Sequence, residues 1–317
     1  MIFDLIIPIY NLDDYLDDCL NSILRQTHTG FRALMIDDGS TDQSPLIAQA
    51  YAARDPRFLY FRKENGGLSD ARNLGLTKVT SDYLLFIDGD DRLRADALET
   101  VDREIGIHPV DILEFNGWII KNGQKIRPVN TRPLDVGIVK NGRDYLLDSV
   151  KNRSLTTQVW TKAVKSRLIF QHRHFFAKGL LHEDELWTPR AYFLADTVRY
   201  IDEHLYDYIQ REGSITHQQD QSKNIRDKKK IFCQLEHYYK SLGFTRHQYR
   251  ILASHLSRQM IEACLLAGNE RPPIQDKRFI IRNARDGRSI LKMLLYITAP
   301  DPYRMLRKKL KKNEDDL

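Results

Sequence analysis

Three clusters of acidic residues stand out as groups able to do chemistry: Asp37-Asp38, Asp88-Gly89-Asp90-Asp91 and Glu183-Asp184-Glu185. The second follows Tyr83-Leu84-Leu85-Phe86-Ile87, an apolar run rich in strand formers that reads as a strand buried on both faces. Carboxylates crowded this closely repel one another, so the cluster persists only with positive charge among them. A divalent cation that also holds a phosphate answers that need, because Mg²⁺ uses one or two carboxylates plus phosphate oxygens. The competing reading is an acidic turn before the next helix, with Asp96 or Asp91 as its N-cap and Gly89 easing the turn. The third cluster opens a helix, where the macrodipole favours negative charge and Leu186, Ala191 and Leu194 would face the core. It is not a zinc H-E-x-x-H site, since Leu186 stands where the second histidine would be.

The elements that position these clusters alternate. Phe3–Ile7 reads as a first strand ending at Pro8, and Asp13–Arg25 as a helix with Leu16, Leu20, Ile23 and Leu24 on one face. Phe31–Ile36 is a second strand. A helix with Pro45 in its first turn follows, turning Leu46, Ile47, Ala50 and Tyr51 inward. Phe58–Phe61 is a third strand, its loop Glu64-Asn65-Gly66-Gly67 leading into a helix near Ser69 and then to the Tyr83–Ile87 strand. Such β-α repetition implies an α/β fold with a parallel sheet covered on both faces. Farther on, Asp111–Ile120 ends in Lys121-Asn122-Gly123-Gln124, a hairpin turn. His172 and His174 sit in a polar stretch and read as surface residues.

Ligands of such sheets bind beyond the carboxyl ends of the strands, where strand order reverses. Pro8-Ile9-Tyr10-Asn11, Asp37-Asp38-Gly39-Ser40 and Asp88-Gly89-Asp90-Asp91 all follow strands and are therefore expected on one acidic rim. Tyr10 offers a flat surface for stacking, and Asp38 can accept a base N–H. No G-x-G-x-x-G follows the first strand, and no G-x-x-x-x-G-K-[ST] loop is present, which weakens the dehydrogenase and P-loop readings. A nucleotide whose diphosphate is reached through a metal remains.

Four segments, in order, resemble the motifs of family 2 glycosyltransferases: Ile6-Ile7-Pro8-Ile9-Tyr10-Asn11, Asp37-Asp38-Gly39-Ser40-Thr41-Asp42, Asn65-Gly66-Gly67-Leu68-Ser69-Asp70-Ala71-Arg72-Asn73 and Phe86-Ile87-Asp88-Gly89-Asp90-Asp91. The resemblance implies an inverting enzyme of the GT-A fold: a Rossmann-like, mostly parallel central sheet flanked by helices, using a nucleotide-sugar donor. It implies that Asp38 and Tyr10 meet the donor base, with Pro8, Asn11, Gly67 and Gly89 shaping the donor site. Arg72 would face the diphosphate, and Asp88 and Asp90 would bind Mn²⁺ or Mg²⁺. Glu183-Asp184 matches the pair that supplies the general base, with Asp184 as the residue that takes the proton. Tyr206–Ile215 is similar to a segment of relatives that build bacterial surface polysaccharides, where Arg211 or His217 would approach the diphosphate. The implied partners are a UDP-sugar and a glycan or lipid-linked glycan acceptor.

The rest of the chain sets the frame. Its 317 residues suffice for a catalytic domain over 1–215 and a helical C-terminal region over 216–317. A formal charge of +6 suits anionic small ligands or membrane surfaces. Zinc-finger spacing and an aromatic RNP-type run are both missing, so nucleic acid is not an expected partner. Three cysteines, Cys19, Cys233 and Cys264, are odd in number and widely spaced, which argues against a disulfide framework. No apolar run is long enough for a membrane span and the first residues lack a signal-peptide layout, so a cytoplasmic protein is expected. Tyr303, Leu306 and Leu310 recur at helical spacing among Arg304, Arg307, Lys308, Lys309, Lys311 and Lys312, a basic amphipathic pattern suited to the inner face of an anionic membrane. Two rival readings stand. A sugar-nucleotidyltransferase would need a basic Gly-rich loop after the first strand, which Ile9-Tyr10-Asn11-Leu12-Asp13 lacks. A non-catalytic scaffold would show a broken acidic set, whereas Asp38, Asp88, Asp90 and Asp184 are all present.

Overall fold

A computed structural model describes residues 1–211, 222–266 and 273–299. Two compact units divide the chain, Met1–His217 and Gln218–Leu317. The first unit contains the strands β1 (Phe3–Ile9), β2 (Phe31–Asp37), β3 (Phe58–Arg62), β4 (Tyr83–Phe86), β5 (Arg92–Leu93), β6 (Ile112–Lys121), β7 (Gln124–Pro128), β8 (Val139–Lys140), β9 (Lys162–Lys165) and β10 (Val198–Gln210). Its helices are α1 (Asp13–Leu24), α2 (Ser44–Arg54), α3 (Leu68–Leu76), α4 (Ala97–Ile107), α5 (Gly142–Asn152), α6 (Ser166–Gln171) and α7 (Asp184–Leu194).

The strands form one mixed sheet in the order β3-β2-β1-β4-β9-β6-β10-β5. The β3-β2-β1-β4 half is parallel throughout, β10 runs parallel to β6, and β9 runs antiparallel to its neighbours β4 and β6. Strand order reverses at β1, which lies between β2 and β4, so the crevice past β1 and β4 is where a ligand belongs. One sheet face, carrying Phe3, Leu5, Ile7, Met35 and Leu85, packs on Leu16, Leu20 and Ile23 of α1 and on Leu98 and Val101 of α4. Ile6 points to the opposite face and meets α3. There Gly75 lies so close that a Cβ would fall 2.4 Å from Ile6 Cγ2.

The strand reading fell short at β1, which continues through Pro8 to Ile9. Ile6 accepts from Ile87 N, so Pro8, two residues on, turns its N-H-less nitrogen toward the same side, where β4 has already ended at Phe86. The expected inward face of α2 needs correction. Leu46 and Ala50 are exposed, whereas Tyr51 is buried as expected, Ile47 is half-buried against the core, and Ser44, Pro45 and Ala48 complete the buried face. The hairpin holds as read: Asn122 and Gly123 both take positive φ (51° and 74°) between β6 and β7, as a two-residue primed turn requires. His174 is a second correction, being 3% exposed and stacked on Trp187 with Nε2 3.0 Å from Trp187 O. Burial, with Arg190 nearby, lowers its pKa to about 3, so the ring stays neutral. His172 is exposed, and Leu194 is only half-buried.

The second unit holds α8 (Ser222–Ser241), α9 (Arg246–Leu266), α10 (Ile274–Asn283) and α11 (Gly287–Thr298). Their buried side chains include Ile231, Leu235, Leu252, Leu256, Met260, Phe279 and Ile280. All three cysteines are free. Among the described residues no helix is long and apolar enough to cross a membrane. His217 and the segment after Ala299, with its basic amphipathic pattern, lie outside the described residues.

Candidate active site

The backbone leaving β4 carries Asp88, Asp90 and Asp91 into three different surroundings. Asp91 is fully buried: its Oδ2 accepts from Tyr206 Oη at 2.8 Å and its Oδ1 from Ile209 N at 2.7 Å. Burial and the neighbouring charges of Asp90 and Asp88 push its pKa well up. Tyr206 Oη also accepts from Asp88 N at 3.0 Å, so one hydroxyl joins the strand end to Asp91. The ring that holds this hydroxyl is stacked on Trp160, which also stacks with Tyr208. Asp90 points the other way and pairs with Arg211 at 2.6 Å. Burial and Asp88 raise the pKa of Asp90, and Arg211 offsets part of the rise. Gly89 does not take a positive φ, which corrects the reason given for it. The need is space, because a Cβ there would sit 2.8 Å from Leu12 Cδ1 and 3.1 Å from Pro8 O.

Arg72, on α3, is 3% exposed and lies between two of the acidic motifs. Its Nη2 donates to Asp88 Oδ1 at 2.6 Å, and its Nη1 donates to Glu183 Oε1. Phe176 and Phe86 flank the guanidinium at 5.5 Å and 5.9 Å. Burial alone would weaken its hold on the proton, but Asp88, Glu183 and Asp184 outweigh that and push its pKa up. Its Nε, also buried, finds no hydrogen-bond partner among the described residues. Glu183 is thus committed to Arg72.

Asp184 begins α7 and keeps partial exposure. Dense protein around the carboxyl, then Glu183 and Glu185, raise its pKa to about 7, with Arg72 opposing. A carboxylate poised near neutrality suits a general base.

At the other end of the rim, Asp38 is 3% exposed and its carboxylate takes three donors. Lys63 Nζ (2.6 Å) and Gly66 N (2.9 Å) bind Oδ1, and Gly67 N (2.7 Å) binds Oδ2. A carboxylate has about four acceptor positions, so one remains for an incoming N–H. Gly67 is the N-cap of α3, which makes Asp38 an anchor for the helix that carries Arg72. Asn11, at φ 51°, accepts from Thr41 N at 2.9 Å and donates from its own N to Ser40 Oγ at 3.2 Å, tying the two loops together. Tyr10 is 50% exposed beside them, and Pro8 precedes it in β1.

Asp88 and Asp90 present partly exposed oxygen donors, which fits a hard cation. Among the described residues no three His, Cys, Asp or Glu side chains are grouped to hold a metal. A cation at this pair would therefore complete its shell with phosphate oxygens and water, as Mg²⁺ does. Sequence reasoning missed Trp160 and the double role of Tyr206; each lies more than seventy residues from Asp88, with no local pattern to mark it. A cavity of about 1120 Å³ in the C-terminal unit, lined by Arg226, Lys229, Arg278 and Phe279 among others, involves none of these residues.

The family model described as Glycosyl transferase family 2 matches residues 4–173. The Streptococcus pneumoniae protein "Glycosyltransferase GlyA" is 34% identical over 219 residues, covering 67% of this chain but only 31% of its own length. The Staphylococcus aureus poly(ribitol-phosphate) β-N-acetylglucosaminyltransferase TarS is 28% identical over 218 residues, 67% of this chain and 36% of TarS. A crystal structure of TarS residues 1–349 with UDP-GlcNAc superposes with a TM-score of 0.75 at 23% identity, covering 99% of this chain and 92% of that one. A Pyrobaculum calidifontis mannosyltransferase solved with GDP-Man and Mn²⁺ gives a TM-score of 0.55 at 15% identity, covering 96% and 82%.

Proposed function

The chain belongs to glycosyltransferase family 2, an inverting family with the GT-A fold, and from that premise we propose that it transfers a sugar from a UDP-sugar to a hydroxyl of a bacterial surface glycan. The observation that carries this reading is the juxtaposition of Arg72, Asp88 and the Glu183-Asp184 pair. It gathers a cation for a diphosphate, carboxylates for a metal and a base poised near pH 7. The base of the donor packs on Tyr10 and donates to Asp38, with Pro8, Asn11 and Gly67 shaping the walls around it. Asp88 and Asp90 are the residues that would hold Mn²⁺ or Mg²⁺, and such an ion would supply positive charge to a departing diphosphate.

Transfer then needs one bond made and one broken. The acceptor oxygen attacks the anomeric carbon from the side opposite the diphosphate, the carbon–phosphate-oxygen bond breaks, and Asp184 receives the hydroxyl proton. Attack from that side inverts the anomeric centre. Arg72 stabilises the departing diphosphate, and Glu183 holds Arg72 in place. TarS, solved with UDP-GlcNAc and named for a poly(ribitol-phosphate) acceptor, supports the UDP donor, while the mannosyltransferase, solved with GDP-Man and Mn²⁺, supports a nucleotide-sugar donor with a metal. The catalytic part corresponds to about residues 1–215.

The test is a panel of nucleotide sugars with Mn²⁺ or Mg²⁺, read by thermal stabilisation and then by the products formed. Stabilisation by a UDP-sugar with slow release of UDP supports the reading. Release of pyrophosphate, or no stabilisation by any nucleotide sugar, overturns it.

A further inference from the structure

Helix α11 turns its apolar stripe outward. Ser289 and Tyr296 are its fully buried residues, whereas Ile290, Leu291, Leu294 and Leu295 are 39%, 58%, 49% and 37% exposed. At 3.6 residues per turn those four occupy one stripe about 140° wide. Soluble helices direct such a stripe at the core. The exposure is not the fraying of a loose end. Asp286 and Ser289 form a reciprocal capping box at its start, and Arg258 Nη1 pairs with Asp286 at 2.9 Å.

Charge decides what covers the stripe. Residues 287–298 contain Arg288 and Lys292 and no acid, and Arg285 and Arg288 are exposed at the near end of the stripe. Lys292 lies 3.6 Å from Glu262, away from the aliphatic centre. The sequence that follows has six Lys or Arg and no acid between 304 and 312. Neither the basic stretch 304–312 nor a second copy of this acid-free helix offers Arg285 and Arg288 an anionic partner. A surface with apolar depth and negative headgroups satisfies both halves of the helix.

We propose that α11 docks this protein on anionic phospholipid bilayers, with the four aliphatic side chains among the acyl chains and Arg285 and Arg288 at the phosphates. This is independent of the donor chemistry. The full-length protein is floated with vesicles of phosphatidylcholine and phosphatidylglycerol (7:3) and with phosphatidylcholine alone, beside Leu291→Glu/Leu294→Glu and Arg285→Gln/Arg288→Gln. The expected result is binding to the anionic vesicles only, lost at least tenfold in the Leu→Glu pair and severalfold in the Arg→Gln pair. Both variants should keep the wild-type melting temperature, because the replaced side chains are exposed. Equal flotation of the Leu→Glu pair, or equal binding to neutral vesicles, overturns the proposal. So does a wild-type dimer in light scattering that the Leu→Glu pair dissociates without any vesicle binding, which would make the stripe a contact between copies.

Discussion

Arg72 Nη2 lies 2.6 Å from Asp88 Oδ1 while Nη1 of the same guanidinium holds Glu183, so the residue proposed to face a diphosphate also clamps two acidic motifs together. The neighbouring Asp184 begins α7 and keeps partial exposure as a residue. Glu183 is therefore the anchor of the pair, and the base role belongs to Asp184 in the proposed function.

Replacing Asp184 with Asn should leave UDP affinity unchanged and cut transfer by about 10²–10⁴-fold, the usual worth of a positioned base. Single-turnover transfer beside UDP titration separates the two effects. Near wild-type transfer would move the base to Glu185. The same variant should be more stable at pH 8, by on the order of 1 kcal/mol or about 2–4 °C.

The pH dependence has a definite sign. A base titrating at about 7 is active when deprotonated, so kcat should climb about tenfold per pH unit below 7 and flatten above it. Stability runs the other way. The folded protein holds the Asp184 proton up to about pH 7, whereas an unfolded aspartate releases it near its ordinary value of 3.8. This residue's contribution is thus fully present at low pH and is lost as pH rises through 7. A rate profile flat from pH 5.5 to 8 would remove Asp184 from the proton transfer.

Asp90→Ala should abolish the Mn²⁺-dependent part of UDP binding, since Asp88 alone would face the diphosphate and Arg211 would lose its partner. Calorimetry with and without Mn²⁺ reads this directly. Identical metal enhancement in the variant would place the ion elsewhere.

Tyr206→Phe removes the hydroxyl shared by Asp88 N and Asp91 Oδ2 but keeps the stack on Trp160. Two buried polar groups lose a partner, which costs about 1–3 kcal/mol. The melting temperature should fall by several degrees with an unchanged circular dichroism spectrum, and Mn²⁺ should bind more weakly. An unchanged melting temperature would show that Asp91 is held by Ile209 N alone.

What the sequence made legible was whatever is written in consecutive residues. The acidic motifs, the Asn122-Gly123 turn and the β-α alternation through β4 depend on local backbone chemistry, and all appear where they were read. The face of α2 was misread at Leu46 and Ala50 because small residues, Ser44, Pro45 and Ala48, fill the buried side beside Tyr51, while the larger Leu46 stays in solvent. His174 looked polar in its stretch, but Trp187, thirteen residues on, covers it. Tyr206 reaches Asp88 across 118 residues, and no periodicity records such a meeting.

Asp38 carries a mechanical implication. Its carboxylate grips the amides of Gly66 and Gly67, and Gly67 begins the nine-residue helix on which Arg72 rides. In the proposed function Asp38 meets the donor base and Arg72 the diphosphate, and one short helix links the two. On that proposal, a base that fits poorly at Asp38 should cost turnover as well as affinity, because Asp38 anchors the helix that carries Arg72.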